Sequence, residues 1–216
     1  MTKKIFICIA GIDGSGKSTA AIGFSRLNNT FKYVWARWKP FFLSPFVKIV
    51  NKINKEKDDF EQVYNNKKNK KKRLLKNTFV KDIWLLAAEI DYGLQLIFKV
   101  CIPYILNNKI ICDRYIYDFY IDQAINLSVS PEDFKSFLRS RSVLRLFPKP
   151  QKIIYMNVEP GIAFVRKKDG TVLADLQERK CFYDKLASIY DVDVVDSGKP
   201  INEVFVDVSV IMKNYE

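Results

Sequence analysis

The sequence predicts an α/β fold, a five-stranded parallel sheet with helices on both faces, and three observations carry that prediction. Short apolar, β-branched runs alternate with longer stretches of helical pattern along 216 residues, as in a sheet buried on both sides. The first run leads into Gly11-Ile12-Asp13-Gly14-Ser15-Gly16-Lys17-Ser18, the G-x-x-x-x-G-K-[ST] spacing of a loop that wraps phosphates. Asp113-Arg114-Tyr115 directly follows another such run, Lys109-Ile110-Ile111-Cys112. That places a carboxylate and a guanidinium at the carboxyl end of a strand, where open parallel sheets bind ligands.

The strands are expected at residues 5–10, 32–36, 110–113, 153–158 and 192–196. Helices are expected at 18–27, 42–54, 76–105, 116–125, 131–147, 160–168, 175–190 and 202–214, the third interrupted by Pro103, because proline removes a helix hydrogen bond and clashes with the preceding turn. Nothing reads as a linker, so residues 1–216 are expected to form one domain.

Composition excludes several chemistries. Without a single histidine there is no Ser-His-Asp triad and no imidazole base or metal ligand. Cys8, Cys101, Cys112 and Cys181 show neither C-x-x-C spacing nor a secreted framework, which fits a reducing cytoplasm rather than structural zinc. The apolar region 84–106 carries Glu89, Asp91 and Lys99, so a buried or interfacial helix is expected instead of a membrane span. The formal net charge of +12 suits anionic ligands. Much of that charge lies in Lys67-Lys68-Asn69-Lys70-Lys71-Lys72-Arg73, which reads either as a solvated loop or as a phosphate-facing or nucleic-acid-binding patch, the latter fitting a binding protein in which ATP serves as a switch. It has no interleaved aromatics, and nucleic acid is not the expected partner.

Each residue of the phosphate loop has a task. Gly11, Gly14 and Gly16 let backbone N–H groups turn inward, and the helix beginning near Ser18 and Thr19 offers its positive end to phosphate. Lys17 adds a full charge near the β- and γ-phosphates, and Ser18 a hydroxyl for Mg²⁺. Asp113 can reach the same metal shell, while Arg114 can grip a phosphate by paired hydrogen bonds. A third region, about 160–178, holds Arg166, Lys167, Lys168, Asp169 and Gly170. It reads equally as a basic lid that closes over phosphates and excludes water or as a solvated helix end whose cations complement the helix dipole.

Taken together these residues resemble the thymidylate kinases of the nucleoside monophosphate kinase group. The loop from Gly11 to Thr19 looks like that family's version, with Asp13 as its carboxylate. Lys109 to Tyr115 resembles its third strand ending in D-R-Y, Gln123 falls at its downstream glutamine, and Ile154 to Pro160 is similar to the strand entering its lid. Glu178, Phe182 and Tyr190 follow its E…F…Y spacing, and residues 195–204 its last strand and helix. The resemblance implies a P-loop kinase fold with a small lid, an acceptor region at about 37–100, and transfer of the ATP γ-phosphoryl group to a nucleoside monophosphate, dTMP to dTDP. It implies ATP and Mg²⁺ as cofactors, a homodimer contact through the helix around 84–98, and no membrane partner. The donor would be held by the loop and Lys17, the metal by Ser18 and Asp113, the acceptor by Asp13, Arg37, Arg114 and Gln123, with Arg166 offsetting charge in the transition state.

The departures fall on the acceptor side. Trp35-Ala36-Arg37-Trp38-Lys39-Pro40 stands where the family usually shows E-P-G-G, Ala10 where many members have glutamate, and Ile90 where an arginine reads the pyrimidine. These changes point to altered base selection or to a related kinase with a changed small anionic acceptor.

Overall fold

The computed structural model describes residues 4–41, 43, 78–107, 109–141, 143–167 and 169–213. The helix expected at 42–54 and the lysine run 67–73 lie outside them. All five expected strands form: β1 (Ile5–Ala10), β2 (Lys32–Trp35), β3 (Lys109–Asp113), β4 (Lys152–Asn157) and β5 (Val192–Asp196). They make one parallel sheet in the order β2-β3-β1-β4-β5. Sequence order reverses direction in space at β1, flanked by β3 and β4, and the crevice above that switch is where such sheets receive ligands.

The helices are α1 (Lys17–Leu27), α2 (Thr78–Leu96), α3 (Ile102–Asn107), α4 (Ile116–Asn126), α5 (Phe134–Arg139), α6 (Pro160–Arg166), α7 (Leu173–Ile189) and α8 (Ile201–Lys213). Strand periodicity divides the core between the two faces of the sheet. Ile5, Ile7 and Ile9 meet Ala20, Ala21 and Phe24 of α1 and Val204, Val208 and Met212 of α8. Phe6, Cys8 and Ala10 meet Leu85, Ala88 and Tyr92 of α2, Phe119 of α4 and Phe182 of α7.

Two expected helices differ in form. The stretch 76–105 is interrupted by a π-helical turn, Ile97–Cys101, and Pro103 lies in the first turn of α3. Pro103 has no N–H for the carbonyl four residues back, so the ladder widens just before it; the Ile102 N–H bonds Ile97 O instead. The helix expected over 131–147 shrinks to α5 and a short 3₁₀ turn, Val143–Leu146. Its start is delayed because Ser130 Oγ accepts the Asp133 N–H at 3.1 Å, and its end comes where Ser140 Oγ bonds back to Phe137 O at 2.8 Å.

Cys8 and Cys112 are buried, Cys101 half-buried and Cys181 exposed, all as free thiols. No helix of the described residues is long and apolar enough to cross a membrane.

Candidate functional site

The phosphate loop connects β1 to α1 in conformations that need glycine. Gly14 has φ +87°, and a Cβ there would sit 2.5 Å from Ala163 O; Gly11 has φ +146°, with Met156 O 2.7 Å from a Cβ. The loop is therefore closely packed against β4 and α6, the entrance to the expected lid.

Lys17 is buried, whereas a phosphate-seeking lysine is expected at the surface. Its ammonium folds back onto Ile12 O, lies 3.4 Å from Ser15 Oγ and reaches Asp13 at 4.0 Å. Burial pulls its pKa down to about 8, against the opposing fields of Asp118 and Asp113. A cation whose charge burial disfavours even with these carboxylates nearby gains from an arriving anion.

Ser18 and Asp113 meet as the sequence suggests. Ser18 Oγ donates to Asp113 Oδ2 at 2.5 Å, and the hydroxyl of Tyr33 donates to the same oxygen at 3.2 Å. The other oxygen, Asp113 Oδ1, is buried with no hydrogen-bond partner. One hydroxyl beside one orphaned carboxylate oxygen is the donor set of a hard divalent cation whose other ligands come from water and phosphate. Among the described residues no group of three or more acidic or thiol side chains could hold a metal unaided.

On the other side of the loop stands a charged cluster. Asp13 pairs with Arg114 Nη2, and Arg37 Nη1 lies 3.7 Å from Asp13 Oδ2. Arg114 Nη1 also faces Asp118 Oδ1 at 3.4 Å, and Tyr183 donates its hydroxyl to that Asp118 oxygen at 2.5 Å. Arg114 occupies the left-handed region, φ +69°, a conformation that costs a non-glycine residue free energy and that surrounding structure must enforce. Its backbone N–H bonds Ile9 O at 3.0 Å, and the next N–H, of Tyr115, bonds Asp118 Oδ2 at 3.0 Å. Asp118, Tyr183 and Tyr33 escaped the sequence reading. Asp118 was findable, since it lies four residues after Arg114 at the head of a helix, the spacing of an ion pair.

Gln123 and Arg166 lie apart from that cluster. Gln123 is fully buried, accepts the Trp84 Nε1 proton on Oε1 at 3.1 Å, and leaves Nε2 without a partner. Arg166 donates to Ser197 O at 2.7 Å. With Ser15, Gly16, Ser197, Lys199, Ile201 and Val204 it lines a cavity of about 200 Å³ beside the loop. Lys167 pairs with Asp169, whose carboxyl that contact lowers to about 2; Lys168 lies outside the described residues.

Ile90 does not stand in for a base reader, because it is half-exposed on the outer face of α2. Its neighbours Glu89 and Asp91 turn inward instead. Asp91 accepts from Trp38 Nε1 at 2.9 Å and from the Phe41 N–H at 3.1 Å, and Tyr120 donates to Glu89 at 3.1 Å. Burial pushes the Glu89 carboxyl up, against the lowering effect of that hydrogen bond.

Together the parallel sheet, the glycine loop at its switch point and the strand-end carboxylate define an α/β P-loop kinase fold. Solved structures share it. The deoxyadenosine kinase from M. mycoides with bound dCTP superposes with a TM-score of 0.55 at 21% identity, covering 98% of each chain. The same kinase with bound dATP gives 0.52 at 20% identity, with the same coverage. No protein-family model and no curated protein matches the chain. The expected membership of the thymidylate kinases is corrected by these findings: the fold is followed from end to end in a deoxyadenosine kinase, and the assignment of dTMP as acceptor goes with it. The misleading signal was the loop together with D-R-Y, which describes phosphate handling and carries little about the acceptor.

Proposed function

We propose that the chain is a kinase that transfers the γ-phosphoryl group of a nucleoside triphosphate, ATP in the first instance, to the hydroxyl of a deoxynucleoside. One observation carries the choice of acceptor: both arginines at the acceptor end already face carboxylates, Arg37 on Asp13 and Arg114 on Asp13 and Asp118. An acceptor phosphate needs cations free to receive it, whereas a hydroxyl brings no charge and needs a carboxylate to take its proton. The kinship of fold with a deoxyadenosine kinase points the same way.

In this reading the acceptor oxygen attacks the γ-phosphorus, its proton passes to Asp13, and the bond to the β–γ bridging oxygen breaks. Lys17 and the loop N–H groups hold the departing diphosphate. Ser18 and Asp113 would hold Mg²⁺, which draws charge from the phosphate oxygens when bound. Arg37 and Arg114 orient the acceptor and offset charge on the transferring group. Gln123, with its amide fixed by Trp84, keeps an N–H for the acceptor base, and the cavity beside Arg166 receives the donor base.

ATP consumption measured against a panel of deoxynucleosides and their monophosphates tests this. Turnover is expected with at least one deoxynucleoside; activity confined to monophosphates would refute the hydroxyl acceptor. A second copy of the chain is the expected cover for the apolar stripe Ile83, Leu86, Ile90, Leu94, Ile97 and Phe98, each at least 40% exposed. Sedimentation should show a dimer that Ile90→Glu dissociates, and a native monomer at micromolar concentration would rule it out.

A further inference from the structure

Helices α4 and α7 are tied by two ion- or hydrogen-bonded rungs, each spaced by one helical turn on both sides. Tyr183 donates to Asp118 at 2.5 Å, and Arg179 pairs with Asp122. Only the first rung continues to the site, because Asp118 also faces Arg114 Nη1 and accepts the Tyr115 N–H. The whole relay is shut away from water: Asp118 is 4% exposed and Tyr183 1%. Arg114 is thereby held by two carboxylates, Asp13 on the phosphate loop through Nη2 and Asp118 through Nη1.

The two carboxylates have unequal fates during phosphoryl transfer. Asp13 takes the acceptor proton and loses the charge that attracts Arg114, just as negative charge builds on the transferring group. A guanidinium in a strained backbone conformation would then be free to move unless its second partner kept it. From this we infer that Asp118 and Tyr183 are positioning residues, which hold the Arg114 guanidinium on the acceptor side when Asp13 is neutralised. The inference rests on the phosphoryl-transfer reading. Tyr183 serves it by filling the Asp118 oxygen that Arg114 shares, so the carboxylate cannot rotate away. Tyr183 belongs to α7, the helix that follows residues 167–172, so the chain leaving the lid region is mechanically linked to the acceptor arginine.

The charge on Asp118 is set by its surroundings. Burial pushes the carboxyl up, opposed by Arg114, the Tyr183 hydroxyl, Lys17 and the Tyr115 N–H; Tyr92 and Cys8 also lie within its field. Removing the hydroxyl removes one of the lowering contributions, so the acidic limb of the pH–rate profile should move to higher pH.

Tyr183→Phe deletes the donor and keeps the ring, and Arg179→Gln breaks the neighbouring rung without touching Arg114. The Nη signals of Arg114, identified by their loss in Arg114→Lys, should be separate and slowly exchanging in the native protein by nitrogen-15 NMR and should merge in Tyr183→Phe. In the same variant kcat should fall about tenfold, as expected for loss of a hydrogen bond to a charged group that matters only during transfer, with both KM values little changed and the acidic limb shifted upward. Arg179→Gln should alter none of these. Unchanged Arg114 signals in Tyr183→Phe, or equal effects in both variants, overturn the positioning role and leave a mere helix tie. Absence of turnover by the native chain on every acceptor sinks the kinase reading instead, and the NMR comparison still decides whether Asp118 and Tyr183 hold Arg114.

Discussion

On the proposed reading, the donor and acceptor ends of the cleft are built on opposite principles. At the donor end, Gly11 to Thr19 form one continuous segment, the loop and the first turn of α1, and the metal-shell partner Asp113 is brought there by the β1–β3 pairing. Its cation, Lys17, is buried, and burial outweighs the fields of the carboxylates around it. The acceptor end gathers Asp13, Arg37, the Arg114–Asp118 pair and Tyr183 from four separate segments, and its cations already face carboxylates. On that reading, a site for a polyanion keeps a buried cation whose charge its surroundings disfavour, whereas a site for a neutral hydroxyl pairs its cations with carboxylates and keeps a proton acceptor.

The largest expected effect comes from removing the stored charge. Lys17→Ala should lower turnover by roughly three powers of ten or more, because the group neutralises the phosphates in the transition state. Thermal unfolding should show an unharmed or more stable free protein, since the variant relieves a buried charge. Turnover within tenfold of native would break the donor half of the comparison. Next is Asp113→Asn, which should reduce kcat by about two powers of ten and donor affinity much less, measured by steady-state kinetics and by titration calorimetry with Mg²⁺-ATP. Loss confined to KM would remove Asp113 from the metal shell.

The acceptor end predicts something different. Asp13→Asn takes away the proton acceptor and the common partner of two arginines, so deoxynucleoside turnover should fall about a hundredfold. The freed Arg37 and Arg114 should bind an anionic acceptor better, and a deoxynucleoside monophosphate should therefore inhibit the variant more strongly than the native protein. Equal inhibition in the two would mean that the pairing of charges has no bearing on acceptor choice.

The same contrast explains what could be read from sequence. Strands were legible because each is a short run rich in β-branched or aromatic residues, and β1 in particular is buried at every residue. The donor loop was legible because its function requires contiguous residues with fixed backbone geometry. By contrast, Arg37 and Asp13 meet only after β2 has been placed two strands away from β1, and no local pattern encodes that. Ile90 illustrates the failure: matching a helix residue to a family position assumed its rotation about the axis, and the structure turns Glu89 and Asp91 inward and Ile90 out. The break at Ser140 was hidden for a related reason, since side-chain bonding back to the helix does not alter hydrophobic periodicity; the interruption of 76–105 was legible in Pro103, and only its π-helical form was not.

The smallest effect expected is a pH dependence that isolates the buried Lys17 charge. Its folded-state pKa is about 8, against 10.5 for an ordinary lysine. Below pH 8 the ammonium is charged in both folded and unfolded chains, and the burial penalty is present in full. Between about 8 and 10.5 the unfolded chain retains a proton that the folded chain has released, so this group's contribution to stability rises with pH across that window. Donor binding runs the other way, because phosphate favours the charged ammonium. ATP affinity should fall as pH rises through 8, by at most about tenfold for each further pH unit. Denaturant titrations and calorimetry from pH 7 to 10, on the native chain and on Lys17→Met, isolate the effect by difference. The stability gain should be present in the native chain and missing from the variant. If the two curves run parallel, Lys17 is not the stored charge that distinguishes the donor end from the acceptor end.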